Sequence, residues 1–174
     1  MSPVPPDEPA LRLAVAFVNT YDLLEDPPDY LTPEIAGRIA ARHGYQDLAA
    51  ALPGTDPLPL RAVRDGLYRV FAEEDKTAAL NAVLDRAGAL ARMVPPGRLA
   101  AVAPDDDPVR VLAALCADAL ARALEVGGPQ RLGTCAGHPC RCGYVDRTRA
   151  GRQRFCCQLC NDRMASAAYR GRRG

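Results

Sequence analysis

Apolar residues recur at helical spacing through most of this chain, and the pattern changes character only near residue 128. Leu60, Val63, Leu67, Val70 and Phe71 follow a three-or-four spacing, with Arg61, Arg64, Asp65 and Arg69 on other faces. That period predicts an amphipathic helix. After a break at Lys76-Thr77, Leu80, Val83, Leu84, Ala87, Leu90 and Ala91 extend the period into a second helix, expected to end before Pro95-Pro96-Gly97. A third, from Val109 to about Val126, carries Leu112, Leu115, Cys116, Ala119, Leu120, Ala123 and Leu124 on its inner face. It follows the acidic run Asp105-Asp106-Asp107-Pro108 and stops at Gly127-Gly128-Pro129, where a domain boundary is expected. Upstream, Leu11, Leu13, Val15, Phe17 and Val18 are too uniformly apolar for a period and read as a buried helix. Thr32-Pro33-Glu34 starts another: Thr caps, Pro fits the first turn and Glu complements the dipole. It should run through Ile35 and Ile39 to His43-Gly44, and residues 99–103 form a short extended piece.

Residues 10–128 therefore read as one bundle of about five helices. Residues 1–9, with four prolines, read as a flexible leader, and residues 129–174 as a small separate module. The expected fold class is mainly α: a helical bundle followed by a treble-clef-like finger made of a β-hairpin and a helix. The chain holds 174 residues with 48% hydrophobic and 5% aromatic content, no tryptophan and a net charge of +1. That average conceals an asymmetry. Residues 129–174 hold ten arginines against two acids, Asp146 and Asp162, while residues 1–128 hold twelve basic and nineteen acidic residues. A basic module joined to an acidic body points to an anionic partner for the module. The start is acidic and proline-rich, unlike a signal peptide, and no apolar run reaches the roughly 18 residues of a membrane span. A cytoplasmic protein is expected, in whose reducing surroundings clustered thiols hold metal rather than form disulfides.

Six of the seven cysteines fall in the last forty residues, as Cys135-Ala-Gly-His-Pro-Cys140-Arg-Cys142 and, after a gap of thirteen residues, Cys156-Cys157-Gln-Leu-Cys160. Two close-set pairs across a short gap are what one tetrahedral zinc requires, because each tight turn presents two thiolates and the gap lets the pairs meet. The expected ligands are Cys135, Cys140, Cys156 and Cys160, holding one structural zinc. Cys142 in place of Cys140 stays open, and so does Cys157, which forms a C-x-x-C pair with Cys160 that also admits a redox reading. His138 reads as an exposed loop residue and Cys116 as a core residue. Residues 144–146 and 153–155 flank an arginine-rich turn containing Gly151 and predict the hairpin; residues 161–170 permit a helix.

The segment Arg131-Leu-Gly-Thr-Cys135, Cys140, Asp146-Arg-Thr-Arg149, Arg154-Phe-Cys156, Cys160-Asn-Asp-Arg163 and Tyr169-Arg170 resembles the CGNR zinc finger of bacterial transcription regulators. The name-giving tetrapeptide stands here as Cys160-Asn161-Asp162-Arg163. Phe17-Val18-Asn19-Thr20 is similar to the signature of the helical ABATE domain that usually precedes this finger. The resemblance implies a stress-associated or pathway-associated transcription regulator whose finger contacts DNA.

Independently of that resemblance, the arginines predict a nucleic-acid footprint, since phosphate contacts by arginine supply salt-dependent affinity. The expected contacts are Arg147, Arg149, Arg152 and Arg154 on the hairpin, and Arg163, Arg170, Arg172 and Arg173 on or beyond the last helix. The helical body would serve as sensor, dimeriser or platform for a small-molecule effector or protein partner. The alternative is a zinc-stapled protein–protein adaptor. An enzyme is not expected: four thiolates leave the metal no open position, and no phosphate loop or nucleophile elbow is present.

Overall fold

The computed structural model describes residues 3–5 and 8–171. Six helices build the body: α1 (Pro9–Val18), α2 (Pro33–Arg42), α3 (Gln46–Ala51), α4 (Pro57–Ala72), α5 (Lys76–Ala87) and α6 (Pro108–Gly127). An antiparallel hairpin of β1 (Leu90–Val94) and β2 (Arg98–Val102) lies between α5 and α6. A 3-10 turn over Pro129–Arg131 then leads into a second hairpin, β3 (Leu132–Thr134) with β4 (Gly143–Val145), and α7 (Gln158–Gly171) ends the described chain.

Most helix starts are written in the sequence. Thr32 accepts the N–H of Ile35 at 3.2 Å, and Asp56, Asp75 and Asp107 cap α4, α5 and α6 in the same way. Each satisfies a backbone donor that the helix itself leaves unpaired. The chain's single lysine closes α4 at its other end: Lys76 Nζ donates to the carbonyls of Val70, Phe71 and Glu73. The core lies where α6 crosses α1 and α4. Leu112, Cys116 and Leu120 are buried there with Leu11, Leu13, Phe17, Leu60, Leu67 and Phe71.

Three features depart from the sequence reading. The second helix ends at Ala87, because Gly88 adopts a left-handed φ of 65° and a Schellman motif forms, with Gly88 N–H on Asp85 and Ala89 N–H on Leu84. Leu90 and Ala91 therefore belong to β1, which pairs Leu90 with Val102 and gives the extended piece its partner. Arg64 does not face solvent. It is 3% exposed and donates to both carboxylate oxygens of Asp29, at 2.6 and 3.2 Å, and to Asp65 at 3.0 Å. The α1–α2 connection folds back over α4 and brings that carboxylate. Part of the expected leader is also packed: Pro5 is buried, lies against Gly127, and Glu8 pairs with Arg122 at 2.9 Å. Helix α3, six residues long, is too short to display a period.

One buried carboxylate ties the first hairpin to the body. Asp118, on the inner face of α6, accepts the N–H of Ala101 at 2.9 Å and pairs with Arg98 and Arg122. Burial pushes its pKa up, but these hydrogen bonds and charges outweigh that and hold it below the ordinary 3.8. Asp29 behaves likewise through Arg64. A depressed folded pKa contributes stability that is complete above the unfolded value and lost as pH falls through the folded one. Melting temperature should thus hold steady down to roughly pH 5 and fall below about pH 4. Asp118→Asn should flatten that acid limb and cost about 1–3 kcal/mol at neutral pH; an unchanged limb in circular-dichroism melts would refute the assignment.

Candidate metal centre and basic finger

The β3–β4 hairpin carries the first cysteine pair at its tip. Its ladder pairs Leu132 with Val145 and Thr134 with Gly143, and one further bond, Cys135 N–H to the Cys142 carbonyl at 2.9 Å, closes the loop between. Within that loop the Cys140 N–H donates to Gly137 at 2.8 Å, which turns the chain so that both sulfurs face one point. The second pair comes from the approach to α7 and its first turn. The sulfurs of Cys135, Cys140, Cys156 and Cys160 all lie within 4.8 Å of one another, and the Cys140–Cys156 and Cys156–Cys160 separations are both 3.7 Å. A tetrahedron with zinc–sulfur bonds of about 2.3 Å has edges of about 3.8 Å. The donor set and its spacing fit one zinc ion, which would serve as a structural cross-link.

The surroundings fit the same ion. Cys135 accepts the N–H groups of Gly137 and Cys156 at 3.4 Å, and Cys140 accepts that of Cys142 at 3.5 Å. Such donors share the negative charge of metal-bound thiolates. Burial and then the neighbouring sulfurs push the Cys156 thiol upward, a cost that a bound cation would offset. Cys142 stands outside the four, buried, with its sulfur 3.5 Å from Asp22 Oδ2. Cys157 is exposed, 3.8 Å from the Cys156 sulfur, and also lies outside the group. His138 is exposed in the knuckle.

The predicted hairpin across residues 144–155 does not form. Residues 146–154 make an irregular loop instead, built around buried Asp146. Its Oδ1 accepts the N–H and hydroxyl of Thr148 at 2.8 and 2.6 Å, and its Oδ2 accepts the Gln153 N–H at 2.8 Å. Arg131, only 1% exposed, donates to the carbonyls of Thr148 and Asp146. Burial raises the Asp146 pKa and these bonds outweigh it, leaving a net lowering. Gly151, at φ 64°, passes beside the Arg131 guanidinium. The loop thereby leaves Arg147, Arg149, Arg152 and Arg154 exposed, with Arg170 exposed on α7.

Arg163 is different. Its guanidinium donates to the Gly137 carbonyl at 2.6 Å and to the Cys160 sulfur at 3.6 Å, which ties α7 to the first knuckle. Expected among the phosphate contacts, it is instead half-buried against the knuckle, where it supports the metal site. Arg172 and Arg173 lie outside the described residues.

The knuckle is also fastened to the body. Asn19 forms a two-way amide pair with Gly143, donating to its carbonyl at 3.0 Å and accepting its N–H at 2.8 Å. Arg141 stacks 4.1 Å from the centre of the Tyr68 ring and 4.8 Å from that of Tyr21. A Cβ on Gly143 would meet the Phe71 ring at 3.0 Å, so only glycine lets the strand lie this close. Leu132 belongs to the body's core.

With this geometry in hand, comparison with known families gives two matches. Residues 11–127, two-thirds of the chain, match the family ABATE, described as "Putative stress-induced transcription regulator". The chain belongs to the ABATE family. Residues 131–173 match the CGNR zinc finger, and no curated protein matches the chain. Neither is a family of enzymes. Among the described residues no helix is long and apolar enough to cross a membrane. In this ABATE protein the Phe17-Val18-Asn19-Thr20 segment is where the finger docks. Phe17 fills the core, Thr20 closes α1 on the Phe17 carbonyl, and Asn19 grips the knuckle. The sequence offers Asn19, Arg131 and Asp146 as parts of signatures without their tasks, and gives no sign of Asp22 or Arg141. Contacts far along the chain explain those two: Asp22 meets Cys142 across 120 residues and Arg141 stacks on Tyr21 and Tyr68.

Purified protein should hold one zinc per chain, and chelation should abolish hydrogen-exchange protection of residues 132–160 first. Arg163→Ala should weaken zinc binding by roughly 10–100-fold, read by competition with a chromogenic chelator. An unaltered affinity would remove its supporting role.

Proposed function

We propose that this protein is a zinc-dependent, DNA-binding transcription regulator whose basic loop and last helix contact the duplex. The observation that carries the reading is the loop at residues 146–154. Asp146 and Arg131 fix its backbone from inside, and its arginines face solvent. Among the described finger residues the other acid is Asp162, so this face is strongly positive. Arg152, Arg154, Gln158 and Asn161 also line a surface groove of about 480 Å³ beside the start of α7. Guanidinium groups there would bind phosphates while Gln and Asn side chains reach base edges. Docking of the finger on its own acidic body does not account for these arginines, because that contact runs through Arg141, Gly143 and Leu132 on the knuckle.

For the body we infer a sensing role. A cavity of about 510 Å³ opens between α4, α5 and α6, with Val63, Val83 and Val109 among its apolar walls and Arg86 and Arg110 among its polar ones. Its size suits a small-molecule effector. A transcription regulator's task makes the cytoplasm the proposed location.

A labelled duplex titrated at several salt concentrations tests the DNA reading. Affinity should fall steeply with salt, and Arg149→Ala and Arg152→Ala should each reduce the log–log slope by about 0.9 while leaving zinc content unchanged. Duplex binding that is absent, or insensitive to salt and to both substitutions, would move the arginines to an acidic protein partner.

A further inference from the structure

Three thiols of this protein are not among the four sulfurs at the metal centre, and they differ sharply in access. Cys116 is enclosed in the core, and Cys142 is buried against Asp22. Cys157 is exposed and lines the open groove beside α7. Cys157 immediately precedes the first turn of α7, where its carbonyl accepts the backbone N–H of Asn161 at 3.3 Å. The buried ligand Cys160 follows three residues later. The Cys156 sulfur lies 3.8 Å from that of Cys157 and 3.7 Å from that of Cys160, so the outer thiol stands directly beside the metal cluster. Residues three apart on a helical turn have Cβ atoms roughly 5–6 Å apart. A disulfide needs little closure from there, whereas chain neighbours such as Cys156 and Cys157 bridge only with distortion.

We propose that Cys157 and Cys160 form a peroxide-driven disulfide that opens the zinc site. The Cys157 thiol attacks a peroxide oxygen; the O–O bond breaks, water leaves with the thiol proton, and sulfur is left as a sulfenic acid. The Cys160 thiolate then attacks that sulfur, the new S–S bond forms, and hydroxide departs. Two sulfurs are oxidised by two electrons in total and one peroxide is reduced. The site would then keep three of its four thiolate ligands, and Cys160 would no longer anchor α7 to the knuckle. An oxidant would thereby unfold the basic finger while leaving the core of the body intact. The inference rests on the zinc site and is independent of DNA binding.

Zinc-loaded full-length protein treated with hydrogen peroxide tests it, with released metal read by a chromogenic chelator and bridges mapped by mass spectrometry after alkylation. The wild type should release its zinc with a Cys157–Cys160 bridge and recover it on reduction with added zinc. Cys157→Ser should bind zinc to the same stoichiometry and release it at least about tenfold more slowly. Equal release from the variant, a bridge between other cysteines, or a variant that cannot hold zinc would overturn the proposal. A wild type that holds no zinc at all would remove the metal site itself, and the switch with it.

Discussion

Four cysteine sulfurs within 4.8 Å of one another form the constraint on which the finger depends. As thiolates they repel, and as thiols they pack weakly around a centre that no side chain fills. A divalent cation resolves both difficulties, and the 3.7 Å edges already have the dimensions of its tetrahedron. Hairpin tip, basic loop and α7 share few apolar contacts of their own; apart from the four sulfurs and Cys142, partly buried Phe155 is the main addition to that cluster. The metal takes the place of a core.

What the metal holds is passed on to the body by four consecutive residues. Cys140 faces the ion, Arg141 stacks on Tyr68 and Tyr21, Cys142 meets Asp22, and Gly143 pairs with Asn19. Tyr21 is reached from the other side of the interface by Arg64, which Asp29 holds in place. The Gly127-Gly128-Pro129 turn separates two family matches, but packing runs across it, through Leu132 in the common core. A change in the body near the α1–α2 connection therefore acts on the knuckle directly. That is the physical basis on which a ligand in the α4–α5–α6 cavity could bias the finger, since α4 contributes both Gly66 to the cavity and Phe71 to the knuckle contact.

Helix positions and the metal ligands were legible because their signals are local. Caps such as Thr32 and Asp107, the Leu60–Phe71 period and the cysteine spacing each depend on a few neighbouring residues. The misreadings have a common cause as well. Leu90 and Ala91 kept a helical period past Gly88, whose φ of 65° decides the ending and cannot be seen in the apolar pattern. Arg64 read as part of a helix's polar faces and Arg163 as a phosphate contact, whereas Asp29 and the Gly137 carbonyl, distant in sequence, lie beside them. The finger's hairpin was placed one segment too late, because the arginine-rich loop resembles a turn while its order comes from buried Asp146.

One zinc per chain should be held by Cys135, Cys140, Cys156 and Cys160 and by no other side chain. X-ray absorption at the zinc edge, recorded on the full chain carrying Cys142→Ser and Cys157→Ser together, tests it most directly. Four sulfurs at about 2.3 Å are predicted. A first shell containing oxygen or nitrogen, or a double variant that retains no zinc, would contradict it.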